Sequence, residues 1–253
     1  MNKLSIILGA FIFSVGQLVL ADSQPTSRVQ IKVEQQGRLD AGRIDYLFKL
    51  YDVGQNKDIS DQDLNESHTK KLHFIVYDAA LKEFNHVHPT FDVNTWKAEL
   101  NLPVNGNYFI WAQGELLDGA EFSSPMTVQI INGKIENPKI PLNDVRSVSD
   151  SQTVVDLAKT KIRAGKMTML TFKVSRKDGV EPIMAPYLGA LAHVIATPAD
   201  GDELIHVHPM DGSSPNTGMI HATFPKEGAY RLWIQFIEHD ELKIIPLSVI
   251  VFK

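Results

Sequence analysis

Three histidines with the same spacing occur twice in this sequence, and imidazole is the commonest metal ligand among protein side chains. In each copy the first histidine is followed, after twelve other residues, by the motif His-Val-His-Pro. Every histidine of the second copy lies 120 positions after its counterpart. The six residues are His73, His86, His88, His193, His206 and His208. Either each set of three binds a metal ion, or each set stabilises a repeated hairpin and has a purely structural role.

The spacing within each copy suits a hairpin of two antiparallel strands. Residues two apart on a strand share a face, so that His206 and His208 point the same way. The pair Asp200-Gly201 favours a two-residue hairpin turn, which would place His193 directly opposite His208. The same centre in the first copy falls at Ala80-Leu81, a poor two-residue turn, and we expect a longer loop there. A loop with an even number of residues keeps His73 on the face of His86 and His88, whereas an odd number moves it to the opposite face. Three imidazoles on one face can reach one ion at about 2.0 Å per nitrogen.

Two further residues bear on the identity of the metal. Met210 directly follows the second His-Pro pair, and His221 lies eleven residues beyond Met210. The sequence has no cysteine, and a set of imidazole and thioether ligands without thiolate or carboxylate favours copper. Zinc on three histidines is the competing assignment. The first copy has Thr90 and Glu99 at the aligned positions, which makes the second copy the stronger candidate.

The histidine motifs belong to a longer internal repeat. The segment 103–113 matches 225–235, with Pro, Gly, Tyr, Trp and Gln at equivalent places. Residues 28–132 and 151–253 are therefore predicted to be two copies of one domain. The intervening stretch, 133–150, is polar and contains prolines, as linkers between domains usually do.

Both copies consist of short segments rich in Val, Ile, Phe, Tyr and Leu, separated by Gly, Pro, Asn and Asp. Such segments are typical of β-strands joined by turns, and no long stretch has the period of a helix. Residues 72–77 and 192–197 are examples of the predicted strands. We therefore predict an all-β protein with two tandem β-sandwich domains of the immunoglobulin or cupredoxin type.

The remaining composition limits location and partners. A basic residue followed by an apolar run and a small residue predicts that residues 1–21 are a signal peptide, with export to the periplasm or the cell exterior. No membrane span is expected after cleavage. A net charge of −5 without a basic cluster argues against nucleic acid as a partner. The expected partners are a metal ion and an envelope protein. Catalysis is not predicted, because no nucleophile elbow, phosphate loop or cofactor fingerprint occurs.

The second copy resembles bacterial exported domains that carry an HxHP motif, which are similar to FixH and YtkA-like immunoglobulin or cupredoxin-type sandwiches. The residues that carry the resemblance are Met184-x-Pro186-Tyr187-Leu188-Gly189-Ala190-x-x-His193, His206-Val207-His208-Pro209 and Gly228-x-Tyr230-Arg231-Leu232-Trp233. The resemblance implies a β-sandwich in the cell envelope that handles copper or another heavy metal. The first copy keeps its three histidines, but Ser67-His68-Thr69-Lys70 replaces Tyr187-Leu188-Gly189-Ala190.

The favoured hypothesis is an exported protein that carries or sequesters copper through the histidines of one or both repeats. A structural or protein-interaction module, in which the histidines stabilise a hairpin, is the first alternative. A copper-dependent oxidase or oxygenase is the second, and it would require an open position on the metal for substrate.

Overall fold

The structure is a computed structural model that describes residues 27–33, 37–66, 69–139, 141–207 and 210–253, with the side chains of His206 and Asp211 excluded. The predicted signal peptide lies outside these residues. Within them the regular structure consists of β-strands and one short 3-10 helix, Asp61–Asp63. Among the described residues, no helix is long and apolar enough to cross a bilayer.

Eleven strands lie in the described part of the first domain. They are β1 (Val29–Lys32), β2 (Arg38–Asp40), β3 (Gly42–Asp52), β4 (Lys57–Ile59), β5 (Leu64–Asn65), β6 (Leu72–Asp78), β7 (Phe84–Val87), β8 (Thr90–Asp92), β9 (Thr95–Leu102), β10 (Gly106–Leu116) and β11 (Glu121–Ile131). One sheet has the order β1-β3-β9-β8, with β4 beside β3. The other has the order β2-β11-β10-β6-β7, with β5 beside β10.

The residues of the second domain that the structure describes also form eleven strands. They are β12 (Ser147–Asp150), β13 (Thr153–Leu157), β14 (Ile162–Arg163), β15 (Met167–Arg176), β16 (Met184–Ala185), β17 (His193–Pro198), β18 (Ile205–Val207), β19 (Met210–Asp211), β20 (Thr217–Thr223), β21 (Gly228–Glu238) and β22 (Glu241–Phe252). One sheet has the order β12-β13-β15-β20-β19, and the other has the order β14-β22-β21-β17-β18 with β16 beside β21. The strand β12 begins within the stretch that the sequence predicted to be a linker.

Each domain is a sandwich because alternate residues of its strands face a shared apolar core. In β15 the buried positions alternate strictly with exposed ones along seven residues, from Met167 to Lys173. The first core contains Phe48, Phe74 and Trp96, and the second contains Phe172 and Phe236. The structure thus confirms the predicted all-β fold class with two tandem immunoglobulin-like sandwiches.

A third apolar cluster joins the two domains, and the sequence analysis did not predict it. Its buried members are Ile75, Tyr77, Leu81, Trp111, Ile195 and Trp233. The rings of Trp233 and Phe84 stack with centroids 4.5 Å apart, and the hydroxyl of Tyr77 donates to the carbonyl of Gly201 at 3.1 Å. The clustered residues of β6 and β17 lie on the faces that point away from each domain's own core. The two domains therefore pack through the sheets that carry the histidines.

The two histidine hairpins have the same register, as the sequence predicted. Ile75 pairs with His86 in the first, and Ile195 pairs with His206 in the second. The predicted two-residue turn at Asp200-Gly201 is wrong, because the amide of Gly201 bonds the carbonyl of Pro198. Leu81 makes the equivalent bond to Asp78 in the first hairpin. The chain therefore begins to reverse at equivalent places in the two hairpins, directly after Asp78 and Pro198.

Gly201 lies at the contact between the domains, and its replacement by Ala tests how tightly they pack. Its φ is +75°, and an added Cβ would lie 2.7 Å from the ring of Phe109 in the first domain. We expect G201A to lower the free energy of unfolding by about 1–2 kcal/mol through backbone strain and by a further ~1–3 kcal/mol through overpacking. Urea unfolding measures both terms together.

Gly119 provides a matched control for this substitution, since its φ is +83° and no atom lies within 4 Å of an added Cβ. The loss in the free energy of unfolding of G119A should therefore come from backbone strain alone. Equal losses in the two variants would contradict the close packing of the domains at Gly201.

Candidate metal centre

Three histidines of the first domain converge on the face that meets the second domain. His73 lies on β6, His86 lies on β7, and His88 follows the last residue of β7. Each of these residues points away from the core of its own domain, since Phe74 and Val87 occupy the inward positions between them. The hairpin register brings the three rings together, as the sequence predicted for an even-numbered loop.

The ring nitrogens lie close enough to share an ion after modest rotation. His73 Nδ1 and His86 Nε2 are 3.1 Å apart. The ring of His88 lies 5.0 Å from each of the other two rings, measured between centroids. One ligand nitrogen from each of the three residues lies within 4.8 Å of the others. Two nitrogens that each bind an ion at about 2.0 Å in tetrahedral geometry would be separated by ~3.3 Å, so the first pair already has the required spacing.

The second domain contributes a fourth imidazole to this group. The ring centroid of His193 lies 6.4 Å from that of His73 and 6.1 Å from that of His86. His193 is fully buried, and His73 and His86 are 3% and 9% exposed. We call the four residues His73, His86, His88 and His193 the interdomain histidine cluster.

Hydrogen bonds fix the tautomers of two rings in the interdomain histidine cluster. His86 Nδ1 lies 3.2 Å from Gln235 Oε1, and His193 Nε2 lies 3.1 Å from the carbonyl of Tyr187. A carbonyl oxygen can only accept, so each of these nitrogens carries the proton. The other nitrogen of each neutral ring then presents a lone pair, which is the arrangement that outer hydrogen bonds impose on metal-binding histidines.

Burial also controls protonation of the interdomain histidine cluster. Desolvation, followed by repulsion from His73, His88 and His193, holds the pKa of His86 well below 6.5. Desolvation, followed by repulsion from His73, Lys70 and His193, lowers the pKa of His88 to about 3. Both rings are therefore neutral near pH 7, as a metal ligand must be. His88 Nε2 is buried and has no hydrogen-bond partner among the described residues.

These depressed pKa values predict that the metal-free protein loses stability as the pH falls below about 6.5. The unfolded chain binds protons at His86 and His88 near their ordinary pKa, whereas the folded chain does not. The contribution of the neutral His88 ring to the free energy of unfolding is fully present above pH 6.5. It is lost progressively as the pH falls toward 3. The midpoint of urea unfolding in the presence of a chelator, measured from pH 7.5 to pH 5, should therefore fall. The fall should be smaller in H86N/H88N, and an equal fall in both proteins would contradict the assignment.

His206 and His208 are the other predicted histidine ligands from the second hairpin. The backbone of His206 pairs with Ile195, the counterpart of the pairing of His86 with Ile75. The side chain of His206 and the whole of His208 lie outside the described residues. Membership of these two residues in the site stays a prediction.

Met210 and His221 are not on the face that carries the interdomain histidine cluster, which corrects the sequence analysis. Met210 pairs with Met219, and His221 lies two residues beyond Met219 on β20. Ile220 and Ala222 point into the core of the second domain, so that Met219 and His221 point outward. Nearness in sequence was misleading, because Val207 and Met210 belong to different sheets.

Sequence reasoning missed Gln235, although the repeat contains a sign of its role. Gln113 and Gln235 end the matching segments of the two copies. Each pairs with the first histidine of its own copy, Gln113 with His73 and Gln235 with His193. The amide of Gln235 contacts His86 of the first domain, and the signal for this role was the polar residue retained opposite a histidine in both copies.

Comparisons with known proteins found one family model and several solved structures that are similar to this chain. Residues 146–252, less than half of the chain, match a family model described as Domain of unknown function (DUF8832). No curated protein matches the chain. Among solved structures, the chain is similar to a tetra-tandem repeat in the extending region of a large adhesion protein, with 9% identity and a TM-score of 0.30. That match covers 90% of this chain and 50% of the other, so the chain spans half its length.

A tandem pair of titin Ig domains is a second similar structure, with 10% identity, a TM-score of 0.22 and coverage of 90% of this chain and 98% of that one. A bacterial ice-binding adhesin is a third, with 9% identity, a TM-score of 0.26 and coverage of 90% and 66%. These likenesses concern the fold alone.

Proposed function

We propose that the interdomain histidine cluster binds one copper ion, and that the protein carries or sequesters this ion. The observation that carries the proposal is the buried pair His73 Nδ1 and His86 Nε2, 3.1 Å apart, with a third histidine nitrogen within reach. His206 and His208 would complete the set from the second domain. The proposed setting is the periplasm or the cell exterior, where an envelope protein would deliver or receive the copper.

The electrostatic environment supports a monovalent ion over a divalent one. Among the described residues, the charged or titratable groups that act most strongly on His86 and His88 are other histidines and Lys70, and none of these groups is a carboxylate. The free energy needed to desolvate an ion grows with the square of its charge, so that this free energy is about four times smaller for a monovalent ion than for a divalent ion of the same size. Neutral imidazoles in a buried site therefore favour copper(I), while zinc remains the competitor.

Titration of the full chain with copper(I) under anaerobic conditions, and separately with zinc, tests the proposal. Competition against a chromophoric chelator gives the affinity and the number of ions bound. We expect tighter binding of copper(I) than of zinc. A chain that binds neither ion at micromolar concentration would overturn the proposed function.

A structural role is the second candidate, and one observation favours it. The contact between His73 Nδ1 and His86 Nε2 is also the length of an N–H···N hydrogen bond, and it lies beside the apolar cluster that joins the domains. In that case both histidines stabilise the interface without metal. Substitution of either would then lower stability in the presence of a chelator, and copper would not raise the unfolding temperature of the unsubstituted protein.

A further inference from the structure

Four of the seven methionines lie on one exposed sheet face of the second domain, far from the face that meets the first domain. This face is the outer side of the sheet β12-β13-β15-β20-β19. Met169 and Met210 are 55% and 48% exposed, and Met167 is 75% exposed. Large apolar side chains are usually withdrawn from water, so that a group of them at the surface calls for a reason.

The strand register brings three of these methionines next to one histidine. Met169 is directly opposite His221, and Met210 is directly opposite Met219. His221 and Met219 are two residues apart on β20 and share its outward face. Directly opposite residues have Cβ atoms about 4.5–5.5 Å apart, and neighbours along one face are within reach of long side chains. We call Met169, Met210, Met219 and His221 the methionine face.

The same face of the first domain has different chemistry, which shows that the fold does not require methionine there. The equivalent pairs on that sheet are Asp45 with Glu99 and Thr90 with Lys97. Lys97 forms ion pairs with Asp45 at 3.6 Å and with Glu99 at 3.0 Å. A charged and hydrated surface in one repeat has thus been replaced by thioethers and an imidazole in the other.

His221 provides a second observation that points to a ligand. Its Nε2 atom is buried although it lies among exposed methionines, and it has no hydrogen-bond partner among the described residues. A buried polar nitrogen left without a partner is costly, and binding of a metal ion would satisfy it.

We propose that the methionine face is a second metal site, which binds copper(I) or another soft monovalent cation through His221 and thioether sulfurs. Thioethers select copper(I) over zinc, calcium and magnesium because both the sulfur and the ion are soft. The site is exposed, in contrast to the buried interdomain histidine cluster, and its ligands come from one domain alone. The two sites are independent, and this inference does not rest on the proposed function.

Copper(I) titration of M169L/M219L tests this site, with M184L as the control. Leu and Met have similar volumes, so the substitutions remove sulfur with little effect on the fold. We expect M169L/M219L to bind about one equivalent of copper(I) fewer than the unsubstituted chain, and M184L to bind the full number. Zinc binding should be the same in all three proteins.

Methionine ε-methyl NMR of the full chain supplies a readout that does not depend on stoichiometry. Copper(I) should shift the resonances of Met169, Met210 and Met219, and leave those of Met126 and Met184 in place. The inference is overturned if the three resonances do not move, or if M169L/M219L binds copper(I) as the unsubstituted chain does. Loss of the buried site in H86N would leave the methionine shifts intact, so the two proposals fail separately.

Discussion

The H86N variant is expected to bind copper at the domain interface with an affinity at least about 100-fold lower than that of the unsubstituted chain, and to keep its fold. Removal of the residue that hydrogen-bonds to a metal ligand already lowers the metal affinity by about 10–100-fold. In H86N the ligand nitrogen itself is removed. The amide nitrogen of Asn occupies the position of His86 Nδ1 and can still donate to Gln235 Oε1, which accepts from His86 at 3.2 Å. Chelator competition measures the affinity, and urea unfolding in the absence of metal measures the fold.

His239 supplies the matched control for this substitution. It is an exposed histidine that contacts Glu238 and lies on the loop between β21 and β22, away from the interdomain histidine cluster. H239N should bind copper with unchanged affinity. If H86N retained the affinity of the unsubstituted chain, or if H239N lost as much as H86N, the assignment of His86 as a ligand would be wrong.

Trp233→Ala should produce the largest loss of stability at the interface. The indole is 1% exposed and stacks on Tyr77 and Phe84 of the first domain, with centroid distances of 5.5 Å and 4.5 Å. Truncation of a buried aromatic side chain costs about 3–5 kcal/mol. Because His193 reaches the other histidines only while the domains stay packed, we also expect W233A to bind copper more weakly in conditions where both domains remain folded.

Trp96→Ala separates this effect from simple loss of core packing. Trp96 is also 1% exposed, but it belongs to the core of the first domain. Both variants should lose comparable stability in urea, whereas only W233A should show a larger radius of gyration by small-angle X-ray scattering. An unchanged radius in W233A would mean that the aromatic stacking does not hold the domains together.

The sequence predicted the parts of the site that depend on local pairing. The alternation of strand residues and the common spacing of the histidines place His73 and His86 on one face when the loop between them has an even number of residues. The sequence left open whether the loop of the first hairpin has an even or an odd number of residues, and the predicted two-residue turn at Asp200-Gly201 was wrong. These features depend on contacts within one hairpin, and the internal repeat shows the same spacing in both hairpins.

The meeting of the two hairpins was not predicted, because it depends on contacts between residues more than one hundred positions apart. A partial indication existed in β6, where all seven residues are buried. A sandwich strand with one exposed face would alternate, and the run Leu72-His73-Phe74-Ile75-Val76-Tyr77 does not. The prediction that Met210 lies beside the histidines was wrong, because residues that are close in sequence belong to different sheets.

The most direct test of the central claim is the position of copper in crystals of the full chain, located by anomalous diffraction at the copper edge. We expect a peak at the domain interface, about 2.0 Å from His73 Nδ1 and His86 Nε2, with further imidazoles from the second domain around it. Copper found only on the methionine face, with the interface empty and the two imidazoles still bonded to each other, would contradict it.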